Sequence, residues 1–138
     1  MSNMFVLDAC ALIALLRREN GAELIEDVFR KAIEKATTIV MNKLNLLEVY
    51  YDTYRLYDKE TADRLLERIY MLPVQIVSEF TDDVLKEAGR LKATYRITIA
   101  DSVAVAEASV AGCPLLTSDH HELEAVEKSE NIKFHWIR

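Results

Sequence analysis

Residues 4–18 read MFVLDACALIALLRR, and this stretch decides the fold class. Its first four residues form a short apolar run, which is typical of a buried strand. A second apolar run, of helical length, follows after the single carboxylate of Asp8. The stretch therefore predicts a strand, a turn at Asp8 and a buried helix. An acid in this position is either a helix cap or part of a site.

The same alternation continues along the rest of the chain. Short apolar or β-branched runs predict further strands at 37–41, 74–77, 113–118 and 132–137. Apolar residues at helical spacing predict helices at 22–36, 44–57, 59–72, 82–95 and 100–112, and a short helix after Asp119. Alternating strands and helices imply a parallel sheet covered on both faces. We therefore expect an α/β fold, with residues 1–138 forming a single domain.

The composition is that of a globular protein and excludes several functional classes. Of the 138 residues, 51% are hydrophobic and 29% are charged. The net charge of −6 argues against binding nucleic acid by electrostatics alone, but not against a nucleic-acid enzyme whose bound cations reverse the local charge. The apolar runs are too short to span a membrane, and Asp8 comes too early for a signal peptide. We therefore expect a cytoplasmic protein with no membrane partner.

Four acids occupy comparable places in this pattern. Asp8 follows the first strand, Asp119 follows the fourth, and Asp101 stands near the start of the helix at 100–112. Each of these three could simply be an N-cap. Glu48 lies about one turn into the helix after the second strand, on an apolar face where a carboxylate is costly unless it is paired or coordinated. The carboxyl ends of parallel strands meet at one edge of a sheet, so we expect the four acids to form one cluster.

Such a cluster needs a cation. Crowded carboxylates raise each other's pKa unless a positive charge lies between them. Mg²⁺ and Mn²⁺ prefer oxygen ligands, and in enzymes these ions contact phosphates. The pattern therefore predicts metal-assisted hydrolysis of phosphodiesters.

Four segments then resemble a known family. FVLDACALIALL, NLLEVYYD, TIADSVAVAEA and PLLTSDHHEL are similar, in order and spacing, to the four motifs of PIN domains, especially the VapC-type toxins of prokaryotic toxin–antitoxin pairs. The resemblance covers nearly the whole chain. It implies a three-layer α/β/α sandwich around a central, mostly parallel five-stranded sheet. It also places the catalytic and metal-binding acids at Asp8, Glu48, Asp101 and Asp119.

The resemblance further implies an activity and partners. The family members are endoribonucleases that use Mg²⁺ or Mn²⁺ and cleave single-stranded or looped RNA. Water attacks the phosphorus and leaves 5′-phosphate and 3′-hydroxyl ends. The usual partner is a small antitoxin protein whose tail lies across the active site.

This chain departs from the family pattern at a few supporting positions. Ala9 and Cys10 stand where many relatives have Thr and Ser, and Asn42 stands where Ser or Thr is common. Thr117 matches the threonine that commonly precedes the last acid by two residues. We expect Cys10, Asn42 and Thr117 to support the acids, although a thiol is a weak hydrogen-bond donor.

The helices at 44–72 carry more apolar residues than one sheet face can cover. Tyr50, Tyr54 and Tyr57 form one stripe there, well over 100° around the helix from Glu48. We therefore expect this stripe to pack in the core or in a partner groove rather than to stack RNA bases. The excess of apolar surface predicts a homodimer.

Other interpretations stay open at this point. Arg90, Lys92 and Arg96 either guide RNA or form a solvated helix surface. The chain could be a PIN-like scaffold that binds a partner without catalysis, although the intact acidic set argues against this. A receiver-type signalling domain would need paired acids near the first strand and a lysine ending the fifth, whereas Asp8 is alone and Lys133 falls within the predicted strand.

Overall fold

The computed structural model describes residues 3–138, and its strands and helices follow the predicted alternation. The strands are β1 (Met4–Leu7), β2 (Thr38–Asn42), β3 (Gln75–Val77), β4 (Leu115–Thr117) and β5 (Phe134–Trp136). The helices are α1 (Ala9–Leu16), α2 (Ala22–Ile33), α3 (Lys43–Leu56), α4 (Lys59–Tyr70), α5 (Asp82–Thr94), α6 (Ile99–Ala111) and α7 (His120–Ser129). The predicted bounds differ from these by a few residues, mainly where strand ends lack a ladder partner.

The strands form one five-stranded sheet in the order β3-β2-β1-β4-β5, and every neighbouring pair is parallel. Strand β1 is central: Val6 pairs with Val40 of β2 on one side and with Leu115 of β4 on the other. This order differs from the 2-1-3-4-5 order of receiver domains, so the receiver interpretation is wrong.

Helices cover both faces of the sheet and create two cores. Successive residues of β1 point to opposite faces, so Leu7 belongs to one core and Val6 to the other. The first core lies against α1 to α4 and includes Leu12, Ile25, Met41, Val49 and Ile69. The second lies against α5 to α7 and includes Val84, Leu91, Val105 and Leu123. The predicted three-layer α/β/α architecture is confirmed.

Helix α6 lies unusually deep because its side chains are small. Eight of its residues are buried, four of them alanines. Thr98 is its N-cap, accepting a hydrogen bond from the Asp101 amide at 3.1 Å. The reading of Asp101 as a possible cap is therefore wrong. Because the helix begins at Ile99, Asp101 lies in its first turn, where its side chain has a hydrogen bond with the cap residue Thr98. The helix ends at Gly112, whose left-handed φ of 66° suits glycine.

The tyrosine stripe on α3 lies mostly at the surface. Tyr54 is 47% exposed and Tyr57 is 66% exposed, so the expectation of core packing is wrong for both. Tyr50 is half-buried and donates its hydroxyl to Asp63 of α4 at 2.6 Å. The first core is closed by Leu46 and Val49 instead, which leaves the stripe free on the outer side of α3.

Cys10 and Cys113 are both free thiols. None of the helices within residues 3–138 is long and apolar enough to cross a membrane.

Candidate active site

The four predicted acids meet at the edge of the sheet where β1, β2 and β4 end. Asp8 directly follows β1, and Asp119 comes two residues after β4. Strand β2 leads into α3, which carries Glu48, and α6 brings Asp101 against α3. The negative charges of Asp101 and Asp119 raise the pKa of both Asp8 and Glu48. The structure therefore places all four carboxylates in one electrostatic cluster.

Asp8 is both a helix cap and a member of this cluster. Its Oδ1 accepts a hydrogen bond from the Ala11 amide at 2.8 Å and caps α1. Its Oδ2 is buried and has no hydrogen-bond partner. Burial raises the pKa of Asp8 to about 7, although the Thr117 hydroxyl and the Ala11 amide act in the opposite direction. A buried carboxylate oxygen with no donor is costly unless something positive binds it.

Thr117 interacts with both strand-end acids. Its side chain is fully buried, and its hydroxyl accepts a hydrogen bond from the Asp119 amide at 3.1 Å. The same hydroxyl favours the charged form of Asp8 and so lowers its pKa. Asp119 in turn caps α7 by accepting from the Glu122 amide at 3.2 Å. Thr117 thus fixes the backbone of one acid and stabilises the charge of the other.

Glu48 and Asp101 approach each other from facing helices. Burial raises the pKa of the half-buried Glu48 to about 7, and the Asp101, Asp119 and Asp52 charges add to this effect. Burial also raises the pKa of Asp101 to about 6, with Asp119 as the next cause. These carboxylates retain protons to a pH far above their usual range because they are crowded and partly dehydrated.

Two further residues at the site were missed by sequence reasoning. Glu122 raises the pKa of Asp101 and therefore lies near the cluster. The sequence could have indicated Glu122, since it stands three residues after Asp119 and therefore on the same helical face. Asn45 is 1% exposed and donates from Nδ2 to the Ala100 carbonyl at 3.0 Å, which ties α3 to α6 beside Asp101. Nothing in the local pattern distinguishes Asn45 from a surface amide.

The other two predicted supporting residues are placed differently. Burial and then the charges of all four acids raise the pKa of the Cys10 thiol, so Cys10 lies within the cluster as a neutral group. Asn42 instead caps α3 by accepting from the Leu44 amide at 2.8 Å, and it donates to Glu107 at 3.0 Å. Its hydrogen bonds therefore support the start of α3 rather than any of the four acids.

The chemistry of this donor set fits a hard divalent cation. In residues 3–138, no lysine, arginine or histidine forms an ion pair with any of the four acids. Among the described residues, no group of three or more His, Cys, Asp or Glu side chains is arranged so that it could hold a metal ion. Mg²⁺ does not need so many protein ligands, because it usually keeps several waters and binds through one or two carboxylates. The unpartnered Oδ2 of Asp8 could take one position in the coordination shell of such an ion.

These features define an α/β protein with an acidic site beyond the ends of its parallel strands. The PIN domain family matches residues 5–128, and the chain therefore belongs to this family. A comparison with curated protein sequences gives no match.

Several solved structures share the fold. VapBC-1 from nontypeable Haemophilus influenzae matches with a TM-score of 0.72 and 16% identity, covering 97% of this chain and 98% of that chain. DNA-bound VapBC from Salmonella typhimurium matches with a TM-score of 0.72 and 14% identity over 100% of both chains. VapBC-5 from Mycobacterium tuberculosis, a member of the VapBC family of toxin–antitoxin systems, matches with a TM-score of 0.62 and 19% identity, covering 99% and 98%. At these identities the similarity is one of fold.

Proposed function

We propose that this chain is a Mg²⁺- or Mn²⁺-dependent endoribonuclease and the toxin of a toxin–antitoxin pair. The observation that carries the proposal is the buried, unpartnered Oδ2 of Asp8 within a cluster of acids that raise each other's pKa. A protein that only binds a partner would gain nothing from this arrangement, which costs folding free energy. Membership of the PIN domain family and the VapBC-like fold support the same conclusion.

Each residue has a distinct part in this mechanism. Asp8, Glu48, Asp101 and Asp119 would hold the ion, which supplies a positive centre for the scissile phosphate and lowers the pKa of a water. Glu48 is half-buried and its pKa is raised to about 7, so it could accept the proton of the attacking water near neutral pH, while Asp101 is buried, with a pKa raised to about 6. Thr117 fixes the Asp119 backbone, and the neutral Cys10 fills the space beside the acids without adding charge.

The proposal includes partners and a location. The substrate is single-stranded or looped RNA, and the protein partner is a small antitoxin that covers the acidic site. Exposed apolar side chains on the outer side of α3 and α4 support a homodimer; they include Tyr54, Leu56, Tyr57, Tyr70 and Met71. We place the protein in the cytoplasm, where RNA is available.

The test is cleavage of single-stranded RNA with Mg²⁺ or with a chelator. We expect cleavage only with the metal, and a loss of at least a hundredfold in kcat for Glu48→Gln. Products should carry 5′-phosphates, which a 5′-phosphate-dependent exonuclease detects. Glu107→Gln is the matched control, since this acid bonds Asn42 and lies outside the cluster. Cleavage that persists in chelator, or survives Glu48→Gln, would disprove the mechanism.

A further inference from the structure

A cleft beside the acid cluster is lined by two basic residues, Lys92 of α5 and Arg96 of the α5–α6 connection. Its volume is about 640 Å³, and its lining includes Lys92, Arg96, Thr98 and Glu122. Thr98 bonds the Asp101 amide, and Glu122 raises the pKa of Asp101. The cleft therefore adjoins the candidate active site at Asp101, although none of the four acids lines it.

The basic residues in this region differ in whether they form ion pairs. Arg90 donates to both Glu87 and Glu130, with distances of 2.7 to 3.1 Å, so its charge is neutralised within the fold. Lys92 and Arg96 are exposed and, among the residues that the structure describes, form no ion pair. Two free positive charges thus flank a site that is otherwise strongly acidic.

We propose that this cleft holds the RNA strand next to the scissile phosphate, with Arg96 and Lys92 binding the adjoining phosphates. This inference rests on the proposed function and names the residues that bind its substrate. Arg96 presents a planar guanidinium that can bind one phosphate through two parallel hydrogen bonds. Lys92, in the last turn of α5, supplies a point charge further along the same cleft.

The shape and polarity of the cleft favour a nucleic-acid strand over a protein segment. Most lining side chains are polar or charged, and Ile97, the one large aliphatic residue in the lining, is buried. An apolar helix would find nothing to pack against. A sugar–phosphate chain needs only spaced positive charges and hydroxyl groups, which Lys92, Arg96 and Thr98 provide.

The test measures steady-state cleavage of a fluorogenic single-stranded RNA with Mg²⁺, together with anisotropy binding of the same RNA with Ca²⁺. We expect Arg96→Gln to raise KM and Kd about fivefold to tenfold while kcat changes less than about twofold. The slope of log Kd against log salt should fall by about 0.7 for each phosphate contact removed. Arg96→Lys should restore the salt slope but not the full affinity, because it keeps the charge and loses the paired hydrogen bonds.

Arg68→Gln is the matched control, since Arg68 is an exposed, unpaired arginine of α4 on the opposite face of the sheet. Equal losses in Arg68→Gln and Arg96→Gln would overturn the inference in favour of general surface charge. RNA affinity and KM unchanged in both Arg96→Gln and Lys92→Gln would overturn it while leaving the proposed function intact. If Arg96→Gln and Lys92→Gln weakened the binding of an acidic protein but not of RNA, this would also overturn the inference. A parent protein that neither binds nor cleaves RNA would overturn both proposals.

Discussion

Asp8 illustrates how one residue can serve the fold and oppose it. One carboxylate oxygen caps α1, which stabilises the helix, while the other is buried with no donor. Its raised pKa means that ionising it in the folded protein costs free energy. A carboxylate selected only as a cap would keep its second oxygen in water.

This conflict predicts the effect of Asp8→Asn. The substitution should raise the free energy of unfolding of the metal-free protein at pH 8 by about 2 kcal/mol, because it keeps the capping oxygen and removes the buried charge. It should also abolish Mg²⁺-dependent RNA cleavage. Denaturant unfolding and a cleavage assay of the same preparation measure both effects. A variant that unfolds more easily than the parent, yet still cleaves, would contradict the assignment.

The pH dependence of this effect has a definite sign. The folded-state pKa values of Asp8, Glu48 and Asp101 are all raised, to about 7, 7 and 6. Well below pH 4 these acids are protonated in both the folded and the unfolded state, so they carry no penalty. Between about pH 4 and pH 7 the unfolded chain ionises while the folded protein keeps its protons, so the folded protein loses stability across this window, and the loss is complete above about pH 7. The advantage of Asp8→Asn should therefore vanish near pH 4, and Mg²⁺ should stabilise the parent more at pH 8 than at pH 5.5.

At the scale of helices and strands, the sequence predicts which elements exist better than how they meet. Each strand is a short apolar run bounded by turn residues or a helix cap, which made the strands predictable. The predicted parallel five-stranded sheet is confirmed. Of the two alternatives for the tyrosine stripe, core packing was wrong for Tyr54 and Tyr57, because periodicity shows that they share a face but not which face meets the core, and a partner groove stays a prediction. The cap of α6 was also predictable: Thr98 stands three residues before an acid, a pattern close to a capping box.

The candidate site was predictable in part for the same reason. Strand-end acids such as Asp8 and Asp119 follow from topology, since parallel strands bring their carboxyl ends together. The contact of Asn45 with the Ala100 carbonyl joins residues 55 positions apart, and only the packing of α3 against α6 creates it. The metal and catalytic roles of the four acids stay predictions.

The α3–α6 contact predicts a positioning role for Asn45. Asn45→Leu should destabilise the protein by about 1 kcal/mol, because it removes the buried hydrogen bond that joins α3 to the Ala100 carbonyl of α6. It should also raise the Mg²⁺ concentration needed for half-maximal cleavage, since Glu48 and Asp101 lose their fixed separation. Leu46→Ala is the control: it removes core packing from the same helix and should destabilise the protein without changing the Mg²⁺ requirement. An unchanged requirement in both variants would show that Asn45 serves the core only.

For the whole molecule, the exposed apolar surface predicts self-association. Leu56, the last residue of α3, is 54% exposed, and Met71, the residue after α4, is 86% exposed. We expect a dimer by light scattering at micromolar concentration, and a monomer for the double variant Leu56→Glu and Met71→Glu. Val110→Glu, at a 47% exposed position of α6, should leave the dimer intact. A monomeric parent protein at moderate salt would refute this prediction.

The whole molecule carries a net charge of −6, which repels the proposed RNA substrate, itself a polyanion. The acids converge without an ion-paired lysine or arginine, so the metal-free site should repel phosphate. A bound divalent cation would reverse that local charge, and RNA affinity should therefore rise several-fold from chelator to Mg²⁺ at fixed ionic strength. Asp119→Asn, which lacks one of the converging charges, should respond much less. Ca²⁺ binds oxygen ligands with longer and looser geometry, so it should support RNA binding better than cleavage. Anisotropy in chelator, Ca²⁺ and Mg²⁺ measures the effect; equal affinity in all three would mean that Lys92, Arg96 and other basic side chains hold the RNA without help from the acidic site.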